Sequence, residues 1–163
     1  MHSLVLRVRH FSFFLNSHLS LRRCSLPVRQ RRKAMSYKIE FDEESKTVTV
    51  QYIGSVSLDT MLSAVNSICS LYSDLNPLRI LIVVIDIDMQ LSYEEQKYLG
   101  KQLAANKALE KAKVAVLHKK NNNPSLIIDT IAFINGYQLA QFDNKKDALS
   151  WLSSAQINTK RLK

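Results

Sequence analysis

Apolar and polar residues alternate from Tyr37 onward: Ile39 and Phe41, then Val48, Val50 and Tyr52, recur at every second position. That two-residue period marks strands with one buried and one wet face. The polar run Asp42-Glu43-Glu44-Ser45-Lys46 between them reads as a turn. Tyr37–Phe41 and Thr47–Tyr52 are therefore expected to pair as an antiparallel hairpin, which Gly54 ends. From Ser57 to Tyr72 the period changes. Leu58, Met61, Leu62, Val65, Ile68 and Leu71 lie at helical spacing, with Ser57 as N-cap, Asp59 in the first turn and Asn76-Pro77 as the stop.

Ile80–Ile85 is a continuous branched run, as in a central strand covered on both faces. A second helix is expected from Ser92, where Ser92-Tyr93-Glu94-Glu95 has capping-box spacing, past Leu99 and Leu103 to about Lys107. Val114–Leu117 reads as a short buried strand. Asn123-Pro124 opens a third helix, Ser125–Asn135, with Pro at its first position; it is apolar nearly all round and Gly136 is placed to end it. Tyr137–Phe142 is the last strand, and Asn144 caps a helix carrying Ala148, Leu149, Trp151 and Leu152. The order is β-β-α-β-α-β-α-β-α. Right-handed crossovers then give an α/β fold with a mostly parallel sheet, an N-terminal antiparallel hairpin, and helices packed on the sheet.

Composition fits one ordinary globular domain: 163 residues, 46% hydrophobic and 23% charged. The net charge of +9 points to nucleic acid until it is located. Of 23 Lys and Arg, eight (Arg7, Arg9, Arg22, Arg23, Arg29, Arg31, Arg32, Lys33) lie in residues 1–34, where there is no acid. Three more, Lys160, Arg161 and Lys163, follow Ser154, so 12 stand against 14 acids over residues 35–154. A near-neutral body attracts phosphate weakly, and no nucleic-acid partner is expected. No uncharged apolar run approaches the roughly 18–20 residues of a membrane helix, so no membrane span is expected. The two cysteines, Cys24 and Cys69, exclude a disulfide framework and fit a reduced, cytoplasmic setting.

Residues 1–34 have three readings: an organelle presequence, a secretory signal with a weak apolar region, or sequence upstream of a start at Met35. The third is preferred. Met35-Ser36-Tyr37-Lys38 opens directly into strand-like alternation, and Arg31-Arg32-Lys33-Ala34 is what a purine-rich bacterial ribosome-binding site encodes when read through. The expected domain spans 35–154, with 1–34 a basic extension outside the fold and 155–163 a basic, flexible tail.

Two segments carry a resemblance. Leu109-Glu110-Lys111-Ala112-Lys113-Val114-Ala115-Val116 enters the fourth strand, and Phe142-Asp143-Asn144-Lys145-Lys146-Asp147-Ala148-Leu149-Ser150-Trp151-Leu152 forms a strand end, acidic turn and Ala-Leu-x-Trp-Leu helix. With the element order, these resemble the STAS fold of anti-sigma-factor antagonists, and more narrowly the SpoIIAA-like family, structurally akin to CRAL-TRIO lipid-transfer domains. The resemblance covers roughly Tyr37–Ser154 and implies a fold more than an activity. In antagonist proteins of this class a serine opening the helix after the central strand is phosphorylated. Ser92 holds that place, without the Asp-Ser-Ser-Gly context and with Glu94 and Glu95 behind it.

Loops Asp86–Leu91, His118–Asn123 and Asp143-Asn144 all follow parallel strands and should gather at the sheet's carboxyl edge, where open α/β sheets bind ligands. The candidate partner or ligand edge is Asp86, Asp88, Met89, Leu91, Ser92, Tyr93, His118 and Asn121. Met89, Leu91 and Tyr93 are larger than a plain turn needs, and serve either as loop anchors or as a docking surface. Asp86 and Asp88 have the chemistry to hold Mg²⁺ or accept a phosphoryl group, as in receiver domains. The opening hairpin breaks the receiver order, and the plainer reading is a solvated acidic loop. His118 is the one histidine of residues 35–154, so no Ser-His-Asp set or histidine metal site assembles. Cys69 reads as a small buried side chain. No catalytic residue, metal or cofactor is expected. The favoured function is a binding or regulatory module for a protein partner, with a homodimer open. The alternative is a carrier of an apolar small molecule, with a cavity beneath the third helix, whose Ile127, Ile128, Ile131 and Phe133 exceed what one packing face requires. A small enzyme comes third.

Overall fold

The computed structural model describes residues 36–154, so the extension and tail expected at 1–34 and 155–163 lie outside the described residues. In chain order the first half holds β1 (Tyr37–Asp42), β2 (Thr47–Tyr52), β3 (Gly54–Val56), α1 (Leu58–Tyr72), β4 (Arg79–Val83) and β5 (Ile87–Met89). The second holds α2 (Tyr93–Ala105), β6 (Lys113–Leu117), α3 (Leu126–Ile134), β7 (Leu139–Phe142) and α4 (Lys145–Ser153). Five strands form one sheet in the order β1-β2-β4-β6-β7, antiparallel between β1 and β2 and parallel elsewhere. The expected α/β architecture is the one observed.

Register explains why the sheet has two different faces. Phe41, Val48, Ile80, Val114 and Leu139 stand in one row across all five strands. On this face Met61, Ala64 and Ile68 of α1, Leu99 of α2, and Ile128 and Ala132 of α3 complete a single buried core. The next row, Glu40, Thr49, Leu81, Ala115 and Ala140, points the other way and runs from charged to apolar. Only its apolar half is covered, by Ala148 and Leu152 of α4. The strand order never reverses, so right-handed crossovers put α1, α2 and α3 on one side. α4, which follows the last strand, goes to the other. Lys113 ties it down: its buried ammonium donates to the Ser154 carbonyl at 3.0 Å and lies 4.3 Å from the Trp151 ring, where a cation suits the helix's negative end.

Several boundaries differ from the sequence reading: β4 ends at Val83 rather than Ile85, and β7 begins at Leu139 rather than Tyr137. The hairpin ends before Gly54 as expected, but the φ of +66° at Gly54, which L-residues rarely adopt, turns the chain into a further strand, β3, that the sequence pattern did not announce. The segment Asp86–Leu91 is not a plain loop, because β5 inside it pairs parallel with β3 as a second, two-stranded sheet (Gly54 beside Ile87, Val56 beside Met89). α2 ends at Ala105 rather than near Lys107, since the Asn106 carbonyl-bearing side chain accepts the Ala108 N–H and starts a separate 3-10 turn over Lys107–Leu109. Pro124 is not the first helical residue of the third helix. The Asn123 side-chain carbonyl accepts the Ser125 N–H at 2.9 Å, and this local turn delays α3 to Leu126.

α2 and α3 touch through Gly100, where a Cβ would lie 2.8 Å from the Ile128 carbonyl oxygen and 2.8 Å from the Ile131 Cβ. A carbonyl in a helix cannot swing aside, so Gly100→Ala must push the helices apart. Although alanine is the better helix former, we expect it to cost about 1–3 kcal/mol, read as a lower urea midpoint with unchanged slope.

Candidate functional site

The carboxyl edge of the sheet gathers the expected loops. Beyond β4, the Val84 N–H reaches the Leu117 carbonyl at 2.9 Å, and beyond β6 the His118 N–H reaches the Phe142 carbonyl at 3.0 Å. Asp86 and Lys119, from different loops, form an ion pair at 2.7 Å. Asn121 takes the left-handed conformation (φ 60°) that asparagine tolerates, in a tight turn closed by the Asn122 N–H on the Lys119 carbonyl at 3.0 Å. His118 Nδ1 lies 2.7 Å from the Lys119 carbonyl oxygen, so that nitrogen carries the proton of the pair and the ring is held along its own loop. Asp88 is exposed beside Gln90.

The apolar members separate into anchors and surface. Leu91 does not line the edge: it is 7% exposed and belongs to the main core, while Met89 is half-buried against that core. Both pin the segment from beneath: the period-2 geometry of β5 turns Ile87 and Met89 toward the core, and Leu91 beyond the strand is buried in it. Tyr93, the first residue of α2, is 59% exposed. Its position is rigid, since Ser92 and Glu95 exchange a full capping box: the Ser92 N–H donates to the Glu95 carboxylate at 2.8 Å and the Glu95 N–H to Ser92 Oγ at 3.3 Å. The Ser92 hydroxyl also donates to that carboxylate at 2.7 Å, and these bonds hold the Glu95 carboxyl below its usual range. A phosphate on Ser92 would set a dianion against this carboxylate and dismantle the cap. Ile53, 53% exposed just before β3, adds a second large apolar side chain at the same edge; the sequence alternation hid it, because Ile53 follows the hairpin and falls in no stripe.

Beneath α3 there is a cavity of about 70 Å³ with Ile80, Ile82, Val114 and Val116 as its floor. Phe133 does not face it but is 64% exposed, and Ile127 and Ile131 are half-buried, so Ile128 alone of the four expected residues belongs to its lining. Drug-sized ligands occupy roughly 300–1,000 Å³, so as it stands this space suits a few waters and not a lipid. Its polar corner is Asp129, 4% exposed, whose Oδ2 accepts from Asn123 Nδ2 and Ser125 Oγ at 2.9 Å and from Gln141 Nε2 at 3.2 Å. Burial raises the Asp129 carboxyl above the ordinary carboxylate range, and these hydrogen bonds offset it only in part. The sequence reading passed over Asp129, although a lone acid within the apolar run Leu126–Ile134 is the signal that marks it. Cys69 is half-buried, with Asn106 Nδ2 at 3.6 Å from its sulfur. Among the described residues no group of three or more His, Cys, Asp or Glu is placed to hold a metal, and no helix is long and apolar enough to cross a membrane.

No protein-family model matches the chain. The dTTP/UTP pyrophosphatase of Clostridium perfringens is 41% identical over 69 residues, which are 41% of this chain and 32% of that protein. The chain thus matches about a third of that relative's length. Among solved structures, an uncharacterized protein of the DUF3478 family with a SpoIIAA-like fold, from Shewanella loihica, aligns with a TM-score of 0.46 at 18% identity, over 71% of this chain and 91% of that one.

A raised carboxyl favours the fold in its protonated form. Its contribution is complete below the unfolded value near about 3.9 and is lost as pH rises through the higher folded value. Asp129→Asn keeps an acceptor and removes the charge. We expect the variant to gain stability relative to the parent as pH rises from acid to neutral, measured by urea denaturation across that range. Asp42 and Glu95, whose carboxyls are lowered, act in the opposite sense but cancel in the comparison.

Proposed function

We propose that this protein is a non-catalytic, STAS-like binding or regulatory module that docks a protein partner through the carboxyl edge of its sheet. The observation that carries this reading is Tyr93: a large aromatic, mostly exposed, held in a fixed place by a capping box and set at the same edge as exposed Ile53. Rigid amphipathic aromatics on a preformed surface are the usual anchors of protein interfaces, because they bury much area for little lost freedom. Around them polar groups engage one another, Asp86 with Lys119 as an ion pair and the Ser92 hydroxyl with the Glu95 carboxylate, which gives the polar rim that such an interface has. The carrier reading has a cavity in the expected place but of insufficient volume, so docking is preferred. Phosphorylation of Ser92 would act on this surface by replacing the cap that positions Tyr93.

The enzyme reading has a direct test in the partial similarity to a pyrophosphatase. Incubated with dTTP or UTP and a divalent cation, the purified protein should release no pyrophosphate above a protein-free control; turnover lost with a single-residue variant would overturn the non-catalytic reading. Docking is tested by isolating partners from the native host and titrating the purified partner against parent and variant proteins. Tyr93→Ala should weaken that binding about tenfold or more, with thermal midpoint unchanged. An unaffected affinity would remove Tyr93 and the carboxyl edge from the interface.

A further inference from the structure

The sheet ends in two edges of opposite character. At β1 the residues on the face opposite α1, α2 and α3 are Lys38, Glu40 and Asp42, and charges on an edge discourage pairing with another chain. At β7 the sequence Leu139-Ala140-Gln141-Phe142 has neither charge nor proline, and among the described residues β7 pairs on one side only. The Val114 and His118 N–H groups bond to the Gln138 and Phe142 carbonyls, so the alternation of a parallel ladder turns the N–H and C=O of Leu139 and Gln141 to the free side. Beside this edge α3 presents its outer stripe, with Leu126, Phe133 and Ile134 all more than half exposed. Two open grooves meet at Phe133 and Leu139, one of about 290 Å³ toward Gln141 and one of about 420 Å³ toward Trp151 and Ser154.

Charge says what covers this face. Along the chain from Asn121 to Phe142 Asp129 is the single charged residue, and it is buried; Lys113 also lines the larger groove, but its ammonium is engaged by the Ser154 carbonyl at 3.0 Å and by the Trp151 ring. Across a two-fold axis a face with a net charge of one sign meets the same sign on its copy and is repelled, while an uncharged face meets its copy without that cost. We propose that β7 and the outer stripe of α3 form the interface of a symmetric homodimer, in which β7 pairs antiparallel with β7 of a second copy and the two α3 stripes pack across the axis. The contact is isologous and closes, and it covers the unprotected edge. It is separate from the docking surface around Tyr93.

Light scattering and sedimentation of the full chain, from low-micromolar to near-millimolar concentration, should reach twice the monomer mass. The Phe133→Lys, Ile134→Glu double variant should keep the monomer mass at every concentration, with the parent's circular dichroism, since both side chains point to solvent. Amide exchange at Leu139 and Gln141 should be about tenfold slower in the parent than in the double variant. A parent that stays monomeric throughout overturns the proposal. So does a dimer that survives the double substitution, one that dissociates instead on Tyr93→Ala, or one in which the Leu139 and Gln141 amides exchange as freely as in the monomer.

Discussion

The parallel pairing of β4 with β6 is the constraint on which the rest of the molecule depends. Ile80 and Leu81 of one strand, and Val114, Ala115 and Val116 of the other, are all essentially inaccessible, so this pair is buried on both faces at once. A parallel pair needs a helical crossover, and a helix laid over one face leaves the other apolar row still to be covered. The first demand is met by α2, flanked by α1 and α3. The second is met by α4, held by Lys113 from within β6 itself. Hairpin β1–β2 escapes the demand because its outer row is Lys38, Glu40, Thr49 and Gln51, which water covers.

The same constraint makes the carboxyl edge. Because β4, β6 and β7 run the same way, the segments that follow them leave the sheet side by side, and Asp86 reaches Lys119 across the gap. The small β3–β5 sheet stiffens what a plain loop would leave loose. It turns Met89 down against the core, and Leu91 beyond it is buried too, so what reaches solvent is the hydroxyl-bearing ring of Tyr93 and the side chain of Ile53. The edge is thus a surface with few apolar groups, each fixed, among polar groups that are already paired.

Packing between helices sets a different limit. Gly100 lets α3 lie close on α2, and Ile128 and Ala132 face the sheet while Leu126, Phe133 and Ile134 face out. An apolar helix lying at the border of its sheet, over β7, has one face too many for a single chain. The buried Asp129, netted by Asn123, Ser125 and Gln141, joins the start of α3 to β7 and fixes which face turns outward.

Much of this was legible in the sequence, wherever a short-range rule decides structure. The two-residue period announced β1 and β2, the branched run Ile80–Ile85 announced a doubly covered strand, and Ser57, Ser92 and Asn144 announced helix starts, because capping and side-chain alternation act over a few residues. Tertiary structure decided the rest. The pairing of β3 with β5 joins residues far apart in the chain, and no local pattern of three residues specifies a partner. Whether Leu91 and Phe133 lie inside or outside depends on where neighbouring helices come to rest, since apolar side chains carry no label for which surface will reach them first. The sequence by itself determined the elements, their order and the buried center of the sheet, through periodicity and local hydrogen bonding. Only the folded chain decided which apolar residues remain exposed at the carboxyl edge and along β7, because that follows from how much surface the other elements have left to cover.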